Sequence, residues 1–302
     1  MKRDFLRLRD LTSQEIENLL KRATELKSGR DVNKCPLIGK SIGLIFEKAS
    51  TRTRVSFEVG IYQLGGNSIY LNPNEMQLGR GETIQDTAKT LSRYLDAIII
   101  RTFSHKSLVD FASNSSIPVI NGLSDLHHPC QTLADMMTII EKKGTLSGIK
   151  LTYIGDGNNV ANSLIEAASL MDINLYISCP EGFEPDEDVL REQKALSKSE
   201  IKIIRNPKDA VIGADVLYTD VWVSMGQEKE ERQRRKKFKG YQLNREILSL
   251  AKKDAIVLHC LPAHRGEEIT DDVIDSPQSI VFDQAENRLH TQKALLEFLL
   301  SS

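Results

Sequence analysis

Five residues in a row, Ser50-Thr51-Arg52-Thr53-Arg54, lie between a β-rich run ending at Phe46 and a helical pattern that starts at Thr53. Backbone N–H groups at a helix N-terminus hold anions. Hydroxyls on Ser50, Thr51 and Thr53 and the planar guanidinium of Arg52 add charge-assisted hydrogen bonds suited to several phosphate oxygens. Arg101 closes the apolar run Ala97–Ile100, and His127-His128-Pro129-Cys130-Gln131 precedes another helix, so an arginine, an imidazole and an amide arise at successive strand ends. Two further segments occupy equivalent positions later in the chain, Asp220 to Gly226 (DVWVSMG) and His259-Cys260-Leu261-Pro262. Other phosphate motifs are incomplete. Gly39-Lys40-Ser41 lacks the P-loop glycine, since position 34 is Lys34, and in Gly155-Asp156-Gly157-Asn158-Asn159-Val160 the third glycine of a dinucleotide fingerprint is Val160. The latter reads as a turn presenting Asn158 or Asn159 to a ligand.

These groups need rigid elements to hold them. Short β-rich runs at Ile42–Phe46, Ser68–Leu71, Ala97–Ile100 and Val119–Ile120 alternate with helical patterns at Thr53–Leu64, Ile84–Leu95 and Ser107–Ala112. Ahead of them, Thr12 and Glu15 stand at capping-box spacing before a helix carrying Ile16, Leu19, Leu20, Ala23 and Leu26 on one face. A longer helix, Gln131–Lys143, ends before Gly144. A second series follows: strands at Leu151–Ile154, Leu175–Ile177, Ile201–Ile204, Val216–Tyr218, Ala255–His259 and Ile280–Phe282, with helices at Val160–Met171, Asp188–Leu196, Leu243–Lys252 and Thr291–Leu300. Alternation of this kind builds βαβ units around parallel sheets. Two α/β domains, each a doubly wound parallel sheet, are expected, with ligands at the strand C-terminal ends in a cleft between them. The charged stretch Gly226 to Gly240 (GQEKEERQRRKKFKG) reads as a solvated, mobile loop or helix.

Composition narrows the classes. The 302 residues suffice for two domains, and 40% hydrophobic with 27% charged residues is that of a globular protein. Lys plus Arg number 40 against 42 for Asp plus Glu, a net charge of -2, so no global basic field attracts nucleic acid or anionic membrane. No apolar run approaches the roughly 20 residues that cross a bilayer. Arg7, Arg9 and Asp10 interrupt any secretory h-region. The four cysteines, Cys35, Cys130, Cys179 and Cys260, form no Cys-x-x-Cys pair, which disfavours a disulfide framework or zinc ribbon. A cytoplasmic location is the expectation.

STRTR at 50–54, Arg101, HPCQ at 128–131, GDGNN at 155–159, DVWVSMG at 220–226, HCLP at 259–262 and ENR at 286–288 follow one another along essentially the whole chain. In this order they resemble the aspartate/ornithine carbamoyltransferase family. STRTR, Arg101 and HPxQ are similar to its shared carbamoyl phosphate signature, and SMG with HCLP resembles its ornithine branch. The resemblance implies a carbamoyl phosphate-binding domain over 1–143, on which a C-terminal helix 288–302 packs back, and an ornithine-binding domain over 144–287. It implies carbamoyl transfer from carbamoyl phosphate to the δ-amine of L-ornithine, giving L-citrulline and phosphate, with neither metal nor organic cofactor.

By the same resemblance Ser50, Thr51, Arg52, Thr53 and Arg101 take the phosphate, while Thr53, Arg101 and His128 reach the carbonyl oxygen. Gln131 holds the carbamoyl nitrogen, and the Cys260–Leu261 backbone and Arg288 close the site from the second domain. Asn159, Asp220, Ser224 and the Met225 backbone hold the amino-acid end of ornithine. The four residues expected in catalysis are Arg52, Arg101, His128 and Cys260. Cys260 is taken as a positioning group, with a covalent thiol route, for which only adjacent His259 offers a base, as the alternative. Ser224 to Gly226 is expected to swing in as a lid. Family members form trimers, which implies a homotrimer or a higher assembly of trimers with Gln77 reaching a neighbour's site. Neither nucleic acid nor membrane is an expected partner.

Overall fold

A computed structural model describes residues 2–29, 35–77, 81–224 and 226–300. The chain divides into two compact units: one formed by the first 137 residues together with the stretch from Glu286, the other by Thr138–Ala285. Each is a parallel sheet wound with helices.

In the first unit the strands are β1 (Ser41–Phe46), β2 (Asn67–Leu71), β3 (Ala97–Arg101) and β4 (Val119–Leu123), ordered β2-β1-β3-β4. All neighbours run parallel. The chain leaves β1 for β2 on one side and then returns to β3 on the other. The order therefore switches between β1 and β3, opening a crevice at their C-terminal ends. In β3 every residue is buried, as expected of a parallel strand covered on both faces. Ile98 and Ile100 join Ile45, Leu108, Phe111 and Val119 in one core cluster.

The second unit repeats the plan with β5 (Lys150–Ile154), β6 (Asn174–Ser178), β7 (Ile201–Ile203), β8 (Val216–Thr219) and β9 (Ile256–His259), ordered β7-β6-β5-β8-β9. Here the switch falls between β5 and β8. Ile154, Leu217, Val257, Ile247 and Val273 share its core.

Local signals explain many element ends. Thr12 caps the helix Ser13–Lys27, accepting from the Glu15 N–H while Glu15 accepts from the Thr12 N–H. Asn206 caps a short helix, Pro207–Val211, whose proline sits in the first turn where its missing N–H is harmless.

Three expectations need correcting. The helix after β1 begins at Thr51 rather than Thr53, because the Ser50 hydroxyl accepts the Thr53 N–H and closes its first turn. Ile280–Phe282 forms no strand; only Ser279 bridges to Val257, and the helix Val281–Leu300 starts at once, ten residues ahead of the expected Thr291. Three β-prone residues carry too little propensity to resist a 20-residue helix that packs its face. Lastly, the charged stretch 226–240 is not wholly solvated: it forms a helix, Glu231–Lys237, in which Arg234 is buried, and Phe238, the next residue, is fully buried. Among the described residues no helix is long and apolar enough to cross a membrane.

Candidate active site

The first unit gathers cations at its switch point. Arg101, the last residue of β3, and Thr53, in the first turn of the helix after β1, are both buried, and an Arg101 Nη1–H donates to Thr53 Oγ1 at 3.4 Å. Arg288 donates to the same oxygen at 3.2 Å and to Gln131 Oε1 at 2.6 Å. Gln131 in turn donates from Nε2 to Asp135 Oδ1 at 2.9 Å, which settles which way its amide points. Arg288 thus belongs with the first unit, whereas the roles drawn from the resemblance had it close the site from the second domain. The reason is that the C-terminal helix runs unbroken past Glu286, so its later turns rejoin the first unit.

His128, buried one residue before the helix Pro129–Lys143, faces this group. Burial pushes its pKa well below the usual value, and Arg288, Arg101, Arg52 and Lys48 push it further in the same direction. The imidazole is therefore neutral at neutral pH, and four positive charges surround it. Arg52 is half-buried at the second helical position, while Ser50 is half-buried and Thr51 exposed at the mouth. Such a cluster of cations suits a small dianion that can bridge several guanidinium groups. Lys48 was missed in the sequence. It is buried, with its ammonium 4.3 Å from the centre of the Phe103 ring, and only its position two residues beyond a strand end could have flagged it. Gln77, beyond β2, is exposed.

In the second unit the turn after β5 is tight. A Cβ on Gly157 would lie 2.2 Å from backbone atoms of Glu184 and Pro185, so only glycine lets that loop close over it. Asn158 caps the helix Asn159–Met171 through its side-chain oxygen and donates from Nδ2 to Asp220 Oδ2 at 2.7 Å. Asp220, just past β8, is buried and accepts the Cys260 thiol at 2.9 Å through Oδ1. Asp220 and Cys260 are thus brought together, with half-buried Asn159 starting the helix one residue after Asn158. Ser224 lies further along the loop and is half-buried, its N–H donating to Gln227 Oε1. Met225 lies outside the described residues.

His259 has a set tautomer: Nδ1 accepts the Leu261 N–H at 2.8 Å, so Nε2 carries the proton donated to Glu268 at 3.0 Å. It holds Leu261 at φ 58°, a left-handed conformation that strains a non-glycine residue. Asp220, His259 and Cys260 are the only trio of candidate metal donors among the described residues, but both imidazole nitrogens of His259 are already committed, so a metal would have to displace one of these bonds.

The buried histidines carry a pH prediction. His105, His127 and His290 are also lowered by burial, His127 to about 3, and all belong to the first unit with His128. A histidine whose folded pKa is depressed stabilises fully above its unfolded pKa near 6.5, and that stability is lost as pH falls. By pH 5 a histidine as strongly depressed as His127 forfeits about 2 kcal/mol. In the second unit Asp156 shifts the opposite way, raised by burial to about 6 against the pull of Arg234, so acidification favours its folded form. Hydrogen exchange, corrected for intrinsic rates, should show the first unit losing protection between pH 7 and pH 5 ahead of the second; equal losses would refute this assignment.

Comparison with known proteins converges on one group. Residues 3–141 match the family model "Aspartate/ornithine carbamoyltransferase, carbamoyl-P binding domain", and residues 147–299 match "Aspartate/ornithine carbamoyltransferase, Asp/Orn binding domain". The chain is 54% identical over 302 residues to an ornithine carbamoyltransferase of Syntrophus aciditrophicus, covering 99% of this chain and all of that one. It is 55% identical over 303 residues to one of Thermococcus kodakarensis, covering 99% and 96% of the two chains. The solved ornithine carbamoyltransferase of Pyrococcus furiosus superposes with a TM-score of 0.95 at 52% identity, over 100% of this chain and 98% of that one. With both family models matched in order along nearly its whole length and the strand-end groups standing where the two sheets switch direction, the chain belongs to the aspartate/ornithine carbamoyltransferase family.

Proposed function

We propose that the protein is an enzyme that transfers the carbamoyl group of carbamoyl phosphate to the δ-amine of L-ornithine, giving L-citrulline and phosphate by direct amine attack. The observation that carries this reading is the gathering of cations at neutral His128, with Arg101 and Arg288 sharing Thr53 Oγ1 and Arg52 and Lys48 adding their charge, a cluster suited to a compact dianion. Domain roles follow, with carbamoyl phosphate on residues 1–143 and the helix 288–302, and ornithine on 144–287.

Ser50, Thr51, Arg52, Thr53 and Arg101 take the phosphate in this reading, and Gln131 Oε1 takes the carbamoyl N–H. Neutral His128, Thr53 and Arg101 donate to the carbonyl oxygen, where negative charge grows as the amine adds. The Cys260–Leu261 backbone serves carbamoyl phosphate in this reading as well, and the Leu261 N–H is bonded to His259 Nδ1. Asp220 pairs with the α-ammonium of ornithine, and Asn159, Ser224 and Met225 hold the carboxylate end. The δ-amine, with a pKa near that of lysine at about 10.4, gives up a proton before it attacks, and exclusion from water favours the neutral form. The N–C bond then forms and the bond from carbon to the bridging phosphate oxygen breaks; the electron pair leaves with phosphate, which takes up the second proton that the attacking nitrogen must shed. Positive charge on Arg52 and Arg101 stabilises that leaving group.

A covalent route through Cys260 finds little support, because its thiol donates to a carboxylate and the only adjacent imidazole is bonded elsewhere. Cys260→Ser should therefore keep measurable turnover with a raised ornithine KM. Mass-spectrometric capture of a carbamoylated Cys260 after mixing with carbamoyl phosphate alone would overturn direct attack. The function itself is tested by assaying citrulline formation with ornithine against putrescine, aspartate and N-acetylornithine; preference for any of the last three refutes the acceptor.

The assembly we propose is a homotrimer, or trimers assembled further, with Gln77 reaching a neighbouring copy. Its support is an apolar stripe: Val55, Val59 and Tyr62, spaced for one helix face, are 49%, 36% and 81% exposed, and Ile69 and Tyr70 of edge strand β2 are also exposed. Light scattering should give about three times the 33.9 kDa chain mass, and Val59→Asp with Tyr62→Glu should reduce it to one. A monomeric unsubstituted protein would refute this. The unbridged cysteines support a cytoplasmic location.

A further inference from the structure

The charged helix Glu231–Lys237 has a buried anchor. Arg234 is 8% exposed; its Nη1 donates to Asp156 Oδ2 at 2.8 Å and to the Trp222 carbonyl at 3.3 Å, and its Nε donates to Glu230 Oε2 at 3.0 Å. The guanidinium lies 5.0 Å from the centre of the Phe183 ring. Four residues on, Phe238 is fully buried and stacks against Trp222, with centroids 6.0 Å apart and planes 23° apart. Residues four apart share a helix face, so one face of an otherwise solvated helix is pinned twice.

The two groups that Arg234 grips matter because of their neighbours. Asp156 stands two residues before Asn158, and Trp222 two residues after Asp220, and Asn158 and Asp220 are themselves bonded at 2.7 Å. One guanidinium therefore spans the turn after β5 and the loop after β8, the two segments that cross the sheet's switch point. A single cation with several directed donors can fix a distance between two backbones, which a lysine ammonium does less well.

We propose that Arg234 is a positioning residue for the acceptor: by tying Asp156 to the Trp222 carbonyl it sets the spacing of Asp220, Ser224 and Asn159, and so governs ornithine recognition without touching ornithine. The inference rests on the acceptor assignment given under Proposed function. Asp156 is 6% exposed, so loss of Arg234 leaves a buried carboxylate without its countercharge, and the turn and the loop move apart or take in water.

Trp222 is the single tryptophan of the chain and sits 7% exposed in this loop, which makes its emission a direct probe. Arg234→Met should raise the ornithine KM at least tenfold, leave the carbamoyl phosphate Kd within threefold, and shift Trp222 emission to the red. Arg234→Lys, which keeps the charge but loses the planar fork and the Nε donor to Glu230, should fall between and serves if the methionine variant does not fold. Arg265→Met, which removes an arginine paired with Asp271 and Asp275 in the same unit, should change none of these readings. A folded Arg234→Met or Arg234→Lys with unchanged ornithine KM and unchanged emission overturns the inference while the acceptor assignment stands. Absence of citrulline formation from ornithine by the unsubstituted protein refutes the acceptor assignment, and this inference with it.

Discussion

Replacing Arg52 with glycine is expected to weaken carbamoyl phosphate binding by about thirty-fold to several thousand-fold, the range set by roughly 2–5 kcal/mol for a truncated charge contact. Arg52 stands in the first turn of the helix Thr51–Gln63, where its charge adds to that of the helix N-terminus, and it contributes to the field that keeps His128 neutral. The apo protein should not suffer. Four cations act on one imidazole, so removing one relieves repulsion, and the melting temperature should hold or rise. This separates loss of a ligand contact from loss of fold. Titration calorimetry on Arg52→Gly decides the matter, since near-unchanged affinity in a folded variant would sink the phosphate assignment.

The second large effect is expected at Asp220, in the other unit. Its carboxylate accepts from Asn158 Nδ2 and from the Cys260 thiol, and it is 6% exposed, so an arriving α-ammonium would meet a buried and oriented negative charge. Asp220→Asn keeps the shape but removes the charge, and its amide hydrogens would face one of these two donors. The ornithine KM should rise by about thirty-fold or more, while carbamoyl phosphate affinity stays within a few-fold. A variant that lost carbamoyl phosphate binding and kept its ornithine KM would reverse the roles given to the two units.

Much of the architecture was legible in the residues alone, for a local reason. Parallel strands buried on both faces read as short apolar runs such as Ala97–Ile100, and caps such as Thr12 with Glu15 act over three residues, so composition within a short window specifies them. The strand-end motifs were legible too, because a sheet that switches direction brings the ends of non-consecutive strands together wherever the same alternation recurs.

The tertiary structure alone decided which distant groups meet. Arg288 and Gln131 are 157 residues apart, and Arg234 and Asp156 are 78 apart. No periodicity within a helix or strand records such a pairing, because it depends on how far each chain segment travels before it packs. A lysine two residues past a strand and an arginine in a run of charges look solvated by every local measure. The surrounding fold buried Lys48 and Arg234, one beside an aromatic ring and other cations, the other against a carboxylate, and burial is what turns an ordinary charge into one with a fixed direction.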